Sequence, residues 1–227
     1  MLAYKPPGTF PLLLGTAWAV ECHSRTLLLT ARHCLQPTTV DFDVFYNNLC
    51  ILKSISMNDD GSATIEGEIP VRALDADEVA DVAVLSVQYS SQLPYRISLC
   101  PLNEFPSAIE EDQVKTYHCA IHSFLEVSPP MCSADATGYT TVRETAHHYF
   151  VRSEHMHGSS GGVVVDRRGR AVGLISSGFV PGVQLPLPDS FHTMWETVTA
   201  LSEGRGAFAR CVKLSAVNGL YQYLSEH

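Results

Sequence analysis

The chain has 227 residues, of which 45% are apolar and 17% charged, and its formal net charge is −9. The apolar share is large enough for a sizeable buried core. Because the balance is acidic and basic runs are short, we expect neither nucleic acid nor an anionic membrane surface as a partner. No apolar run reaches the ~18 residues that a membrane-spanning helix needs.

Short runs rich in Leu, Val, Ile, Thr and Phe alternate along the chain with clusters of Gly, Pro, Asn and Asp, a pattern that predicts many short strands. The first set of predicted strands covers residues 12–20, 26–31, 42–46, 50–57, 63–74 and 82–87. The second set covers residues 114–121, 138–143, 148–152, 162–166 and 170–176.

A proline-rich stretch at 90–112 separates the two sets, and apolar residues over 207–225 recur as in an amphipathic helix. The sequence therefore predicts two β units of similar size, residues 1–100 and 101–227, with a terminal helix docked on one of them.

Three segments carry residue types that act together in nucleophilic catalysis. His33 follows a predicted strand, Asp81 directly precedes another, and Ser160 lies within the Gly-Ser-Ser-Gly-Gly sequence at 158–162. A serine hydroxyl is a weak nucleophile and needs a base such as imidazole, which a buried carboxylate can orient. The glycines allow a tight turn in which main-chain N–H groups can converge on an oxyanion.

These segments resemble the trypsin-like (chymotrypsin-fold) serine peptidases over nearly the whole chain. The family's histidine box corresponds to Thr-Ala-Arg-His-Cys at 30–34, its acid motif begins at Asp81, and its serine box is 158–162. The order His, Asp, Ser is also the family's. The resemblance implies an all-β fold of two six-stranded antiparallel barrels, and it makes His33 the general base, Asp81 its orienting acid and Ser160 the nucleophile.

The resemblance also implies how a substrate would bind. The oxyanion hole would come from the main-chain N–H groups of Gly158 and Ser160. An extended peptide would pair with the strand edge at Ser176, Ser177 and Gly178, which is binding by strand addition. Glu154 stands where trypsin has the floor of its primary pocket, so a preference for Lys or Arg is one expectation and a solvated Glu154 the other.

The departures from the secreted members favour the disulfide-free branch, which is similar to HtrA-like and to bacterial or viral trypsin-like peptidases. Ser159 replaces the aspartate that pairs with a freed N-terminus, and Leu14 is expected opposite Cys34 in place of a cysteine. Seven cysteines without a CxxC pair and without a clear secretory signal lead us to expect reduced thiols and an intracellular, cytoplasmic location.

No metal or organic cofactor is expected, and the partner is expected to be a peptide or protein substrate. Histidines at 118, 122, 147, 148, 155 and 157, with Cys119, fit no recurrent zinc spacing. Two other functions stay open: a protease fold that only binds or scaffolds, and an esterase using Asp189 and His192. The esterase needs a helix after Ser160, whereas the valines at 163–165 indicate a strand.

Overall fold

The computed structural model describes residues 1–9, 11–21, 26–37, 40–57, 63–87, 93, 96–106, 114–117, 141–144, 146–152, 158–179 and 208–226. Its strands are β1 (Leu2–Tyr4), β2 (Leu12–Gly15), β3 (Trp18–Glu21), β4 (Thr26–Ala31), β5 (Leu49–Ile51), β6 (Ser54–Met57), β7 (Ala63–Glu66), β8 (Ile69–Asp77), β9 (Val82–Val87), β10 (Val114–Tyr117), β11 (Thr141–Glu144), β12 (His148–Arg152), β13 (Val163–Asp166), β14 (Ala171–Phe179) and β15 (Phe208–Lys213). Two short helices, α1 (Phe42–Asn47) and α2 (Leu220–Glu226), and 3-10 turns at Arg32–Leu35, Leu102–Glu104 and Leu214–Ala216 complete it.

The first sheet has seven strands in the order β2-β1-β5-β8-β9-β4-β3, and β6 and β7 form a separate hairpin. The prediction of a six-stranded closed barrel is therefore not confirmed here, because no ladder among the described strands joins β2 to β3. These two edge strands are nevertheless consecutive, separated only by Thr16 and Ala17. The single strand predicted at 12–20 thus forms both edges of the sheet, and it breaks at Thr16, whose main-chain groups bond elsewhere.

The second sheet has six antiparallel strands in the order β10-β13-β14-β15-β12-β11. The strand number agrees with the prediction, but closure into a barrel is not shown by the ladders of the described residues. The class of the fold is mostly β, with two short helices.

Besides 12–20, four predicted elements are wrong in detail. Residues 50–57, predicted as one strand, belong to two strands, β5 and β6, which lie in different sheets. Residues 42–46 form α1 instead of a strand, because the Asp41 carboxylate accepts from the N–H groups of Asp43 and Val44 and caps a helix. Residues 63–74 form two strands, broken near Gly67, whose φ is +66°. The region 207–225 was predicted to be one helix. Instead, Phe208–Lys213 forms β15, and only Leu220–Glu226 is α-helical.

One hydrophobic core joins the two sheets. Leu29 of β4 and Leu85 of β9 belong to the same buried cluster as Leu174 of β14 and Val212 of β15. This shared core holds the end of β4 close to β14, the two elements that carry the candidate functional residues. Neither described helix has the length and apolarity to span a membrane.

Candidate active site

The register between β4 and β9 brings His33 beside Asp81. Ala31, the last residue of β4, pairs with Val82, the first residue of β9. The chain continues from Ala31 into the 3-10 turn Arg32–Leu35, and the Arg32 N–H donates to the Asp81 carbonyl oxygen at 3.0 Å. Because the end of β4 pairs with the start of β9, His33 and Asp81 lie next to each other.

Asp81 holds His33 by two hydrogen bonds. Its Oδ2 lies 2.8 Å from the ring Nδ1, and its Oδ1 accepts from the His33 main-chain N–H at 2.9 Å. Because an ionised carboxylate only accepts, Nδ1 carries the proton and Nε2 is left as the basic nitrogen. Asp81 has a φ of +57°, an unfavourable conformation for a residue with a Cβ, which the bonded neighbours maintain.

The pKa values of the pair shift in opposite directions. Burial opposes the charge on His33, but the hydrogen bond with Asp81, with smaller contributions from Cys34 and from the charge on Asp81, raises the pKa of the imidazole above its usual 6.5. Burial likewise raises the pKa of Asp81, but the hydrogen bond and charge of His33, with Ser176, lower it overall. The pair therefore stabilises an imidazolium next to a carboxylate, which is what a general base needs after it takes a proton.

Thr16, at the bend between β2 and β3, binds the turn that carries Ser160. Its N–H donates to the Ser160 carbonyl oxygen at 2.8 Å, and its Oγ1 donates to the Gly158 carbonyl oxygen at 2.7 Å. Gly161, at a φ of +84°, lies so close that an added Cβ would be 2.1 Å from the Thr16 carbonyl oxygen. Two hydrogen bonds thus connect the turn at 158–162, which we call the serine turn, to Thr16 at the edge of the first sheet.

Ser160 is partly buried, and its hydroxyl donates to the Ser176 carbonyl oxygen at 3.5 Å. In the described part of the chain its Oγ makes no hydrogen bond to the His33 ring, and catalytic hydrogen bonds are often long until substrate binds. The N–H groups of Gly158 and Ser160 donate to none of the described residues. Gly158 has a φ of +94°, so glycine suits this position in the turn.

The sequence did not predict two side chains that reach the acid. The Ser176 hydroxyl, fully buried, donates to Asp81 Oδ2 at 2.5 Å, and Arg210 Nη2 donates to the Ser176 Oγ at 2.8 Å. Only the main chain of Ser176 was expected to act, in substrate binding. The only available signals were a serine that directly follows the apolar residues Leu174 and Ile175 in β14, and an arginine in β15.

The strand edge expected to bind substrate is the part of β14 that follows Leu174, where the pairing with β13 stops. Val163, where β13 begins, pairs with Leu174, whereas Ser177 and Gly178 pair with Arg210 and Ala209 of β15. Among the described strands, nothing pairs with the other edge of β14 at these two residues.

Other predicted residues are tested only in part. Cys34 lies beside Gly15, the neighbour of Leu14, since a Cβ on Gly15 would lie 2.7 Å from the Cys34 Sγ. The described cysteines, namely Cys34, Cys50, Cys100 and Cys211, are free and buried. Glu154, Asp189, His192 and most of the clustered histidines lie outside the described residues. After Ser160 the chain enters β13, a strand, and an esterase elbow needs a helix at that point.

Comparison with known proteins identifies the family. Residues 15–174 match the trypsin-like peptidase domain. The HtrA-type protease AlgW with decapeptide is 19% identical (TM-score 0.49, 94% of this chain and 52% of that one), so this chain spans about half its length. The Rv3671c protease, inactive form, is 13% identical (TM-score 0.52, 92% and 83%), and no curated protein sequence matches significantly. The chain belongs to the trypsin-like serine peptidase family.

Proposed function

We propose that this chain is a serine endopeptidase in which Ser160 is the nucleophile, His33 the general base and Asp81 the acid that orients it. The observation that carries the proposal is the double attachment of Asp81 to His33, through the ring Nδ1 at 2.8 Å and the main-chain N–H at 2.9 Å. In the neutral imidazole, this arrangement places the proton on Nδ1 and leaves Nε2 to accept from the serine hydroxyl. The bonds from Thr16 to the Ser160 turn support the same assignment.

The reaction is acyl transfer to water. Ser160 Oγ attacks the carbonyl carbon of the scissile peptide while His33 Nε2 takes its proton. His33 then gives that proton to the leaving amine, and the acyl group stays on Ser160. Water, activated by the same nitrogen, attacks the acyl-enzyme and restores the hydroxyl. The N–H groups of Gly158 and Ser160 stabilise the oxyanion in both halves, and no metal or organic cofactor takes part.

The substrate is an extended peptide that adds a strand to β14. Ser176, Ser177 and Gly178 supply the main-chain groups, and the edge left beside β15 in the described part of the sheet supports this. Glu154 is the candidate floor of the primary pocket and would favour Lys or Arg by charge pairing. Equal cleavage of peptides with Arg and with Ala at that position would contradict the role of Glu154 alone. The two halves, 1–100 and 101–227, are proposed to contribute His33 with Asp81 and Ser160, respectively.

The test is labelling with a fluorophosphonate probe, with the modified peptide mapped by mass spectrometry. We expect wild type to be labelled on Ser160, and Ser160→Ala and His33→Ala to remain unlabelled. Ser225→Ala, which removes an exposed hydroxyl from α2, is the matched control and should label as wild type does. A folded wild type that does not label would support the alternative of a binding or scaffold protein. Labelling without cleavage of any peptide would favour an esterase.

A further inference from the structure

A second set of polar groups reaches Asp81 from the other sheet. Ser176 of β14 donates its hydroxyl to Asp81 Oδ2 at 2.5 Å, and Arg210 of β15 donates from Nη2 to the Ser176 Oγ at 2.8 Å. Ser176 is fully buried, whereas Arg210 is half-buried. The acid of the first sheet is therefore connected to a cation of the second through a single hydroxyl.

The direction of these hydrogen bonds is fixed by what each group can do. A guanidinium only donates, so the Ser176 oxygen accepts from Arg210. An ionised carboxylate only accepts, so the single Ser176 proton points to Asp81. With Arg210 in place the hydroxyl has one favourable orientation. Asp81 then receives three donors: the Ser176 hydroxyl, the His33 ring and the His33 main chain.

A β-bulge turns the Ser176 side chain toward Asp81. Ile175 pairs with Cys211 and Ser177 pairs with Arg210, so Ser176 is an extra residue in β14 with no register partner on β15. Bulges near functional sites commonly re-aim a side chain. Here the bulge leaves Ser176 between Asp81 and Arg210.

Among the cations around this cluster, Arg210 is the one that donates a hydrogen bond to Ser176. The other titratable groups around Asp81, Ser176 and Arg210 come from three elements. They are His33 and Cys34 in the 3-10 turn, His147 and His148 at the start of β12, and Cys211 and Lys213 in β15. Burial, followed by the charges of Arg210 and His147, lowers the pKa of His148 to about 4, so it is neutral at physiological pH. Burial raises the pKa of Cys211, so that thiol is also neutral.

We propose that Arg210 is a positioning residue, which acts through Ser176 to keep the Asp81 carboxylate oriented and ionised for His33. The proposal deepens the function proposed above and rests on it. Arg210 touches neither the reacting atoms nor the substrate strand through this contact. Its effect is transmitted as a fixed hydroxyl orientation and as a positive charge that disfavours a proton on Asp81 and, more weakly, on His33.

The test is an NMR titration of the His33 imidazole in the Ser160→Ala background, which needs no turnover. Arg210→Met removes the cation and lets the Ser176 hydroxyl turn away from Asp81, while both hydrogen bonds between His33 and Asp81 remain. The charge of Asp81 is then less compensated, so we expect the pKa of His33 to rise by about 0.5–1 unit. Arg210→Lys keeps the charge and one donor, so we expect a smaller rise. Arg168→Met, which makes the same change at an exposed arginine of the β13–β14 turn, should leave the titration unmoved.

The route through Ser176 is tested separately. Ser176→Ala should itself raise the pKa of His33, and adding Arg210→Lys to it should cause no further change, because the hydroxyl that transmits the effect is gone. An unchanged or lowered pKa in folded Arg210→Met would overturn the proposal. Circular dichroism shows whether Arg210→Met folds. If it does not, the pKa of His33 is compared in Arg210→Lys, in Ser176→Ala and in the double variant. Shifts in this pKa that add up in the double variant would overturn the proposal.

The result is separable from the proposed peptidase activity. A wild type that is never labelled at Ser160 would refute the enzyme while leaving the His33 titration measurable. For an active wild type, the acid limb of the kcat/KM profile should move upward in Arg210→Met by the same amount as the NMR pKa. A uniform loss of rate with no movement of that limb would indicate only a structural role for Arg210.

Discussion

The N–H of Thr16 donates to the carbonyl oxygen of Ser160 at 2.8 Å, across the boundary between the two sheets. Thr16 lies at the break between the consecutive strands β2 and β3, and its carbonyl oxygen accepts from the Thr30 hydroxyl at 2.7 Å. Thr30 lies in β4, three residues before His33. The same short network thus links the segment that carries the histidine to the turn that carries the serine.

Removal of the Thr16 hydroxyl should loosen the serine turn. Thr16→Val keeps the shape of the side chain but removes the 2.7 Å bond to the Gly158 carbonyl oxygen, and Thr16 is buried. We expect a loss of about 1–3 kcal/mol in the free energy of unfolding, measured by urea denaturation, because a part-buried acceptor loses its donor. The rate of fluorophosphonate labelling should also fall.

The control is Thr9→Val, since the Thr9 hydroxyl also donates to a main-chain carbonyl, that of Pro6, but is exposed to solvent. Water replaces the lost bond there, so a change within about 0.5 kcal/mol is expected. Equal losses at the two threonines would show that the bond to the Gly158 carbonyl has no special role.

Gly161 should tolerate no side chain. A Cβ would lie 2.1 Å from the Thr16 carbonyl oxygen and 2.5 Å from the Thr30 Oγ1, and the φ of +84° adds strain. We expect Gly161→Ala to lose several kcal/mol of stability or to fail to fold, as judged by denaturation and soluble yield. Gly169→Ala shares a positive φ, +77°, but has open space around its Cβ, so its cost should be about 1–2 kcal/mol. Similar costs at both glycines would contradict the close packing of the serine turn.

Local sequence identified His33 and Asp81, which the structure places together, but not the other side chains that contact Asp81. The triad candidates stand in short motifs, and β4 and β9 were predicted with their observed ends, so the meeting of His33 and Asp81 follows from strand register. The contact of Arg210 with Ser176 depends on a bulge in β14 and on the pairing of β14 with β15, which are distant in sequence and leave no local pattern. At residues 42–46 a local signal was available but was missed. The composition suggested a strand, whereas the Asp41 cap favours the helix that the structure has.

The stability contributed by the His33–Asp81 pair should depend on pH with a defined sign. The pKa of His33 is raised in the folded state, so its contribution is fully present below the usual value near 6.5 and is lost as pH rises through the folded value. The pKa of Asp81 is lowered, so its contribution is present above the usual value of 3.8 and is lost as pH falls through the lowered one. The stabilisation should therefore be largest between about pH 4 and 6.5.

Urea denaturation of wild type and His33→Gln at several pH values measures this. The difference in unfolding free energy should be greatest near pH 5 to 6 and should shrink on the alkaline side. His147→Gln, at an exposed histidine before β12, serves as the control and should change the free energy of unfolding less than His33→Gln does. A difference for His33→Gln that grows as pH rises would contradict the raised pKa.

Substrate binding by strand addition should depend on the peptide's main-chain N–H groups. Ser177 and Gly178 already pair with β15, and the other edge of β14 has no strand partner among the described residues, so a substrate would use that edge. A peptide with an N-methyl group at one position facing this edge loses a donor and acquires a clash. We expect kcat/KM to fall by about 3- to 10-fold or more at that position, the equivalent of one lost hydrogen bond.

The comparison is a scan of a cleaved peptide, methylated at one amide at a time and assayed by mass spectrometry. In an extended strand, successive N–H groups point to opposite sides, so sensitivity should alternate along the substrate. Amides that point away from β14 are the internal control, since their methylation leaves the shared ladder intact. Sensitivity that is uniform along the peptide, or absent at every position, would contradict binding by strand addition to the edge at Ser176–Gly178.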